Sequence, residues 1–556
     1  MDMNTLFDPF DILGSFAKVH AAWAPHSTEY RQRLDRLGES LARINRTVQE
    51  QINHLLEPQP DAGPREQSAF VLECSKTASN AMRGYHQAFG HWMMEMIENT
   101  PELPLETRQR SVFWTEQLLK MLAPSNFFWT NPNAVKRCLD SGGESLKTGF
   151  DNWLEDLIRG DSLIKLADEH AFKVGENLAA TPGQVVYRNP LFELIQYAPA
   201  TERTWRVPIV MIQPWINKFY IFDLSTDNSF VRYLIGQGFT VFIMSWKNPT
   251  PVMRHISFAD YMLKGAYKAV AVAARICGVQ RVHAAGYCIG GTVLAALMAW
   301  LNRGPAGEIP VVDWTLFATL VDYSLPGNLA MLISESSIQA IELLMEKSGY
   351  LDAMYLGMAF RLLNSEGLIW RCLVNNYLYG GKPPKSDMLF WNSDSTRLPE
   401  AMCSFYLREF YFKNHLSRKD ALVLEGRPID LSRIRQPLYA VGAEQDHICP
   451  WEGTFQTGRH VGGPVRYVLS AEGHITGIVN PPSPKSRKKY RTGTLDSRET
   501  APDQWLDAQT VQRGSWWPDW VEWLAERSDR LGPPPEMGAG LYPPLGPAPG
   551  TYVFER

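Results

Sequence analysis

From about residue 170 onward, short apolar segments alternate with stretches of helical pattern, and this alternation restricts the fold strongly. Several of the segments are rich in β-branched residues, which favour strands, and the sequence between them, such as 261–277, has helical spacing. Apolar strands joined through helices form a largely parallel sheet that is covered on both faces. We therefore predict an α/β fold with strands at 207–212, 240–246, 281–287, 314–320, 438–441 and 465–469.

The first 168 residues differ, because their apolar positions follow the spacing of a helix. Ser27 is the predicted N-cap of a helix whose apolar residues form one stripe, namely Leu34, Leu37, Leu41, Ile44, Val48, Ile52 and Leu55. Two interpretations stay open: the helix packs within its own domain, or its narrow stripe binds a partner or a surface. Residues 1–168 are predicted to form a mainly helical N-terminal domain.

The alternation is interrupted between residues 324 and 434, a long segment rich in Met, Tyr and Trp. We interpret this segment as a cap inserted over the sheet of a catalytic domain that spans 169–530. Residues 533–550 hold seven Pro and four Gly, so 531–556 is predicted to be an extended tail. Just before it, Trp516, Trp517, Trp520 and Trp523 are expected to pack the last helix onto the catalytic domain.

Composition excludes several classes of protein. The 55 basic and 59 acidic residues leave a formal net charge of −4, which argues against a dedicated nucleic-acid binder. The seven cysteines are scattered without a CxxC pair, which fits a reducing compartment better than a disulfide framework. The first 14 residues lack Lys and Arg, and the longest apolar stretch is shorter than the ~20 residues of a membrane span. We expect a cytoplasmic protein without a membrane span.

One short segment is strongly basic, although the net charge of the whole chain is close to neutral. Residues 485–491 contain five basic side chains, namely Lys485, Arg487, Lys488, Lys489 and Arg491. They form either a solvated loop or a site that attracts an anionic ligand such as a phosphate.

A candidate nucleophile lies in the segment Gly286-Tyr287-Cys288-Ile289-Gly290-Gly291, which follows a predicted strand and precedes a helical run at 292–301. This is the pattern of a nucleophile elbow, G-x-S-x-G, with Cys in place of Ser. The start of the helix favours the thiolate of Cys288, and the Ile289 N–H is placed to stabilise an oxyanion. The alternative is a buried cysteine packed under a tight turn.

A thiol nucleophile needs a base, and the base needs an orienting acid. In this architecture the chain order is nucleophile, acid, histidine, and acid and histidine follow later strands. Asp446 and His474 meet both conditions and are the predicted acid and base. Asp322 is a competing acid, and His447 is a competing base that we place beside the substrate or behind the triad.

A second oxyanion donor is expected from the loop after an early strand. The loop Gln213-Pro214-Trp215-Ile216-Asn217-Lys218 follows the predicted strand 207–212, and Pro214 has no N–H to offer. Trp215 and Ile216 both remain candidates, and Ile216 is the one assigned to the site. Nothing in the sequence suggests a metal or a prosthetic group.

These stretches and several others resemble the polyhydroxyalkanoate synthases over about residues 120 to 525. GYCIGGT is similar to the family's cysteine box, and further similar blocks are PSNFFWTNP, SGGESLKTGFDNWLEDL, PWINKFYIFDL, SWKNP, FWNSDSTRLP, GAEQDHICPW, GHITGIVNPP and GSWWPDW. ESLKTGFDNWLEDLIRGD and APGTYV resemble the class I, single-subunit branch that prefers short-chain substrates. Gln213 departs from the proline usual at its position, which puts the stiffness of that loop in doubt, and the first ~110 residues match no motif.

The resemblance implies an α/β-hydrolase fold and the transfer of (R)-3-hydroxyacyl groups from coenzyme A onto a growing polyester. It makes Cys288 the acyl-carrying nucleophile, His474 the base and Asp446 the third member, which also helps to activate the 3-hydroxyl group. It further implies a homodimer at the surface of polymer granules, with the coenzyme A thioester as substrate and no separate cofactor. A cysteine-based esterase or thioesterase of the same fold is the alternative, and a granule-coating scaffold is disfavoured because all three site residues are present.

Overall fold

The computed structural model describes residues 8–56, 64–159, 163–305 and 309–556. The chain forms two compact units. The helical unit comprises Met1–Asp168 and Met358–Lys385, and the sheet unit comprises Glu169–Gly357 and Ser386–Arg556. Among the described residues, no helix is both long enough and apolar enough to cross a membrane.

The N-terminal part of the helical unit contains the helices α1 (Ile12–Trp23), α2 (Ser27–Leu55), α3 (Pro64–Glu98), α4 (Leu105–Met121), α5 (Pro132–Asp140) and α6 (Glu144–Ile158). Its small core is formed by Val19, Trp23, Met96, Ile97 and Leu103. The Trp23 indole N–H donates to the backbone oxygen of Met96 at 3.1 Å, which ties α1 to α3.

The predicted stripe helix is α2, and it packs along α3. The prediction of Ser27 as its N-cap was wrong, because His26 has the N-cap position and Ser27 is already the first helical residue. The stripe is only partly covered: Leu34 is 39% exposed and Ile52 is 38% exposed. Packing on α3, within the same unit, therefore buries only part of the apolar stripe.

Residues 358–385 lie inside the segment predicted as a cap, yet they belong to the helical unit. Side-chain hydrogen bonds hold them there: the Tyr377 hydroxyl donates to Asp156 at 2.8 Å, and the Ser365 hydroxyl donates to Gln117 at 2.6 Å. The segment includes π-helical turns at Glu366–Trp370 and Val374–Leu378. The predicted cap is therefore divided between the two units.

The sheet unit is built on an 11-stranded sheet. Its strands are β1 (Gly183–Arg188), β2 (Phe192–Tyr197), β3 (Ile209–Ile212), β4 (Val241–Trp246), β5 (Val282–Tyr287), β6 (Val311–Phe317), β7 (Leu438–Ala443), β8 (Val465–Ser470), β9 (Lys489–Thr494), β10 (Gln512–Arg513) and β11 (Gly546–Pro547). The spatial order is β10-β9-β8-β7-β6-β5-β3-β4-β2-β1-β11. The pairs from β4 through β8 are parallel, and the remaining pairs are antiparallel.

Helices cover the sheet and connect its strands. They are α7 (Phe230–Gly236), α8 (Lys268–Ile276), α9 (Ile289–Leu301), α10 (Glu335–Ser348), α11 (Ala353–Leu363, in which the chain passes between units), α12 (Asp387–Ser393), α13 (Glu400–Phe405), α14 (Trp451–His460), α15 (Pro502–Ala508) and α16 (Trp517–Ala525). Strands β4 and β5 are buried along their whole length. This burial is why they read as continuous apolar runs rather than as alternating ones.

The six strands predicted from the sequence are β3 to β8, and parallel strands joined by helices form the centre of an α/β-hydrolase fold. The strand predicted at 314–320 ends at Phe317, because Ala318 adopts a left-handed φ of 42° that cannot continue a strand. The helix predicted at 261–277 begins with a π-helical turn, Tyr261–Tyr267, before α8. The strands that were not predicted are those towards the two edges of the sheet, namely β1, β2, β9, β10 and β11.

The C-terminal segment packs on the sheet unit, which differs from a free extended tail. Leu531–Gly532 pairs with Thr204–Trp205, and β11 adds to the edge strand β1. Tyr552 is 9% exposed and Val553 is 3% exposed. The many prolines of this segment therefore shape its path over the sheet without preventing its burial.

Candidate active site

Cys288 lies in the sharp turn between β5 and α9. Its backbone has φ 51° and ψ −125°, an arrangement that L-residues rarely adopt and that is typical of a nucleophile elbow. The turn requires glycines: a Cβ on Gly286 would lie 2.5 Å from the Gly291 Cα, and one on Gly290 would lie 2.4 Å from the Ile212 oxygen. The sequence pattern is thus explained by the close approach of the backbone on both sides of the cysteine.

Asp446 and His474 meet at the carboxyl ends of β7 and β8. His474 Nδ1 lies 2.6 Å from Asp446 Oδ2, and the second carboxylate oxygen accepts from the backbone N–H groups of Ile448 and Cys449 at 2.9 and 2.8 Å. The Tyr287 hydroxyl donates to the His474 backbone oxygen at 3.2 Å. With Nδ1 bonded to the carboxylate, Nε2 is the ring nitrogen left for the nucleophile.

The charges at this site favour a thiolate–imidazolium pair. A hydrogen bond from the Cys449 thiol, the charge of His474 and the Ile289 N–H lower the pKa of Cys288 to about 5, against the opposing effect of burial. Burial lowers the pKa of His474, but Asp446 and Cys288 outweigh it and raise the pKa to about 10. Cys288 is therefore an activated thiol at neutral pH.

Cys449 is the site residue that sequence reasoning missed. Its Sγ, the Cys288 Sγ and a ring nitrogen of His474 all lie within 4.8 Å of one another, and Cys449 is only 4% exposed. The hydrogen bond to Cys288 and burial raise its pKa, so it stays a protonated donor beside the thiolate. Its position three residues after Asp446 was the available signal, since the same carboxylate binds its backbone N–H.

The competing residues are engaged elsewhere or differently. Asp322 lies 2.7 Å from His460 Nε2 and accepts from the Asn414 amide at 2.8 Å, so its carboxylate is paired with a histidine other than His474. His447 is half-buried, and its backbone oxygen accepts from the Asn328 N–H at 2.9 Å. The role of His447 stays a prediction.

A Ser–His–Asp arrangement, separate from the candidate site, lies inside the sheet unit. His283 Nδ1 is 2.9 Å from Asp313, and its Nε2 is 2.8 Å from the Ser528 hydroxyl. The three side chains are at most 1% exposed, so no substrate can reach them. They tie β5, β6 and the residues after α16 together as a structural network.

The loop 213–218 follows β3 and is held by hydrogen bonds from Thr396. The Thr396 hydroxyl donates to the Trp215 oxygen at 2.5 Å, and the Thr396 N–H donates to the Ile216 oxygen at 3.0 Å. The Trp215 C=O and the Ile216 N–H belong to one trans peptide and point in opposite directions. Because the Trp215 oxygen faces Thr396, the Ile216 N–H points away from it. The backbone oxygen of Gln213 accepts from the Trp246 indole N–H at 2.7 Å, which fixes the start of the loop.

Lys218 anchors the end of the same loop. Lys218 is 3% exposed, its ammonium group donates to the Glu555 backbone oxygen at 2.6 Å, and burial lowers its pKa. The Asn248 amide donates to the same oxygen at 3.4 Å, and the Trp391 indole donates to the Lys218 oxygen at 2.7 Å. The C-terminal segment and two distant blocks thus fix the loop that follows β3.

We expect Lys218→Met to weaken both folding and activity. The variant leaves the Glu555 oxygen without its cation, which should lower the free energy of unfolding by about 2–3 kcal/mol and the initial rate of thioester turnover by about 10-fold. Denaturant unfolding and rates of thiol release measure the two effects. Lys264→Met is the matched control, since Lys264 is an exposed lysine paired with Asp260; equal behaviour of the two variants would contradict the prediction.

The tryptophans near residue 520 hold the loop that carries His474. The indole N–H groups of Trp516 and Trp517 donate to the backbone oxygens of Gly477 and Ile478 at 2.8 and 2.9 Å. The Trp520 indole donates to the Thr315 hydroxyl at 2.9 Å. These side chains therefore do more than pack α16 on the sheet, because they fix the backbone just after the candidate base.

Trp516→Phe removes one of these donors and should displace the His474 loop. We expect a loss of about 2–3 kcal/mol in the free energy of unfolding, with a several-fold lower rate of thioester turnover. The control is Trp505→Phe, because Trp505 is also buried but its indole N–H has no hydrogen-bond partner in the described part of the chain. Calorimetry and rate assays on both variants test this; a control as impaired as Trp516→Phe would refute it.

A cluster of tyrosines lies beside the first turn of α9. The Thr292 hydroxyl, one turn into α9, lies 3.3 Å from the Tyr323 hydroxyl, which donates to the Tyr406 hydroxyl at 3.4 Å. The Tyr411 ring packs 4.8 Å from that of Tyr323, and the charge of Cys288 contributes to the raised pKa of Tyr411. Tyr406 and Tyr411, residues of the predicted cap that belong to the sheet unit, therefore pack on Tyr323 beside the first turn of α9.

The basic run at 485–491 divides into two groups. Lys488 donates to the Thr476 backbone oxygen at 3.0 Å, and Arg491 donates to Glu444 at 2.7 Å, so these two brace the loops that carry His474 and Asp446. Lys485, Arg487 and Lys489 are exposed to solvent. The attraction of an anionic ligand by these three stays a prediction.

Comparisons with known proteins extend the match beyond the motifs. The family model described as poly-beta-hydroxybutyrate polymerase (PhaC) N-terminus matches residues 75–234, so the similarity begins before residue 110. The solved structure of a monoacylglycerol lipase from Paleococcus ferrophilus covers 60% of this chain and 99% of its own, at 12% identity and a TM-score of 0.33.

Curated relatives align over most of the chain. A poly(3-hydroxyalkanoate) polymerase of Methylorubrum extorquens is 37% identical over 97% of this chain and 89% of its own. The polymerase subunit PhaC of Cupriavidus necator is 38% identical, covering 82% of this chain and 77% of its own. Poly(3-hydroxyalkanoate) polymerase 2 of Ectopseudomonas oleovorans is 40% identical, covering 84% and 83%. With this identity over nearly the full length, the chain belongs to the poly(3-hydroxyalkanoate) polymerase family.

Proposed function

We propose that this chain polymerises (R)-3-hydroxyacyl-CoA into a polyester and releases coenzyme A, with Cys288 carrying the acyl chain. The observation that carries the proposal is the Cys288 elbow beside an Asp446–His474 pair joined at 2.6 Å, in a member of the polymerase family. The class I assignment and the preference for short chains rest on the resemblance of residues 144–161 and 548–553 to that branch.

In the first step the Cys288 thiolate attacks the carbonyl carbon of the substrate thioester. The N–H groups of Ile289 and Ile216 stabilise the oxyanion that forms, and protonated His474 gives its proton to the leaving sulfur of coenzyme A. One thioester replaces another, so the acyl group keeps its activation for the next step. A serine in this position would form an oxygen ester and lose that drive.

In the second step a 3-hydroxyl group attacks the acyl-Cys288 thioester. Neutral His474 takes the hydroxyl proton, with Asp446 stabilising the imidazolium that results, and the new ester forms as the Cys288 sulfur leaves. Water must be kept from the thioester during this step. Tyr323, Tyr406 and Tyr411, packed together beside the first turn of α9, are suited to exclude it.

Incubation with 3-hydroxybutyryl-CoA separates this proposal from a cysteine thioesterase on the same fold. A polymerase releases coenzyme A thiol in proportion to the insoluble polymer formed, and both are measured in one reaction. Thiol release matched by free 3-hydroxybutyrate, without polymer, would show a thioesterase and end the proposal.

We also propose that the enzyme works as a homodimer in the reducing cytoplasm, at the surface of the polymer granule. Seven free thiols, one of them the nucleophile, fit a reducing compartment. Helix α6 supports the granule contact, because Phe150, Trp153, Leu157 and Ile158 are 58, 42, 52 and 75% exposed. Such a cluster of exposed apolar side chains suits a hydrophobic polymer surface.

Granule partition tests this contact. The double variant Trp153→Ser/Ile158→Ser should shift from the granule fraction to the supernatant, whereas Val252→Ser, an 89% exposed apolar residue of the sheet unit, should not. Light scattering of the purified protein at several concentrations tests the dimer. Unchanged partition of the double variant, or a monomer at all concentrations, contradicts the corresponding proposal.

A further inference from the structure

The second thiol of the site, Cys449, has no step in the proposed polymerisation. The Sγ atoms of Cys288 and Cys449 and a ring nitrogen of His474 lie within 4.8 Å of one another, and Cys449 is buried. Its backbone N–H donates to Asp446 at 2.8 Å, so one carboxylate fixes both Cys449 and His474. Three soft ligand atoms are thus held together by a shared support.

This ligand set has the chemistry of a zinc site. Zinc binding would release the thiol proton of Cys449 and the Nε2 proton of His474 to solvent. The resulting two thiolates and one neutral imidazole, with a fourth position left for water, form one of the known arrangements for protein-bound zinc. Ligands at about 2.3 Å (sulfur) and 2.0–2.1 Å (nitrogen) around a tetrahedral zinc lie roughly 3.5–3.8 Å apart. The observed spread of up to 4.8 Å therefore needs side-chain movements of about 1 Å.

The hydrogen bond between His474 and Asp446 also suits zinc binding. Its Nδ1 is bonded to Asp446, which leaves Nε2 directed to the two sulfurs. A carboxylate behind a histidine fixes the tautomer and strengthens the imidazole as a metal ligand. The same hydrogen bond that prepares His474 as a base thus prepares it to bind zinc.

We propose that Cys288, Cys449 and His474 form a reversible zinc site whose occupation inhibits the enzyme. Zinc on these atoms occupies both the nucleophile and the base, so neither acylation nor chain growth can proceed. The inhibition rests on the proposed function, whereas metal binding itself does not. Cys449 is the residue that distinguishes this site, because Cys288 and His474 alone offer only two ligands.

Cobalt(II) tests the binding without reference to activity. The full-length protein, reduced and freed of metal with a chelator, is titrated with Co²⁺, and thiolate-to-cobalt absorption is recorded. We expect one equivalent per chain, displaced by one equivalent of Zn²⁺, and a higher melting temperature with zinc. Cys449→Val should lose the absorption and the shift in melting temperature, whereas Cys277→Ala should keep both.

Inhibition is then measured at buffered free zinc. Each rate is expressed relative to the zinc-free rate of the same variant. The free zinc concentration that gives half-inhibition should be about 100-fold or more higher for Cys449→Val than for wild type. If Cys449→Val loses cobalt binding or zinc sensitivity, the variant Cys449→Ser and circular dichroism show whether an altered fold is the cause. Equal cobalt absorption or equal zinc sensitivity in wild type and Cys449→Val overturns the proposal, and so does the absence of stoichiometric binding. A protein that binds cobalt as expected but forms no polymer would refute the proposed function alone.

Discussion

Replacement of Cys288 by alanine is expected to abolish both coenzyme A release and polymer formation, with a loss of about 10⁴-fold or more in the turnover rate. In the proposed mechanism the growing polymer is held covalently between additions, and among the described residues no other thiol lies in an elbow geometry. Cys449 is close, but its raised pKa keeps it protonated. Thiol release and polymer yield from 3-hydroxybutyryl-CoA measure the effect.

Two further variants sharpen this result. Cys403→Ala removes a buried thiol of the sheet unit and should retain most of the activity. Cys288→Ser should acylate slowly and then stall, because an oxygen ester has lost the activation of the thioester; mass spectrometry would detect the stable acyl-enzyme. Turnover by Cys288→Ala within 100-fold of wild type would rule out Cys288 as the carrier of the chain.

The centre of the fold was predictable because its signals are local. Strands β3 to β8 are short, mostly apolar runs, and the six residues from Gly286 to Gly291 contain the whole elbow. Asp446 and His474 could be selected by chain order, since each follows a strand of a parallel sheet. The structure brings these two together as expected, and their catalytic roles stay a proposal.

The rest depends on pairs of residues far apart in the sequence. The bonds of Gln117 to Ser365 and of Asp156 to Tyr377 draw 358–385 into the helical unit, and nothing in either local segment indicates a partner more than 200 residues away. Cys449 looked like any other scattered thiol. It became part of the site only because the turn after Asp446 brings its side chain back to Cys288.

Much of the family resemblance lies in supports rather than in reacting groups. Lys218, Asn248 and Trp391 come from three separate blocks, and their hydrogen bonds converge on the loop after β3 and on the Glu555 oxygen. The block at 514–520 fixes the backbone after His474 in the same way. A small displacement of an oxyanion donor or a base costs much of the rate, which gives these blocks a function without contact to substrate.

Asp446→Asn is expected to lower the rate of acylation by about 10²–10⁴-fold and to narrow its pH profile. In the wild-type protein the thiolate of Cys288 forms as the pH rises through about 5, and His474 keeps its proton up to about 10. The thiolate–imidazolium pair therefore predominates between these values. An amide cannot offset the burial that lowers the pKa of His474, so the imidazolium is lost at a lower pH.

The acidic limb should move as well, because the pKa of Cys288 rises when the neighbouring imidazolium is less populated. Alkylation of Cys288 by iodoacetamide, followed by mass spectrometry, reports the acidic limb, where the thiolate forms. The pH dependence of the acylation rate reports the basic limb, because the thiolate persists when His474 loses its proton and only acylation needs the imidazolium. Asp322→Asn is the matched control, since that carboxylate is bonded to His460. A distortion of the fold would lower the whole profile and leave its limbs in place, whereas loss of the charge on Asp446 moves both limbs inward. Limbs at the wild-type positions in Asp446→Asn would therefore show that Asp446 orients His474 without stabilising its charge.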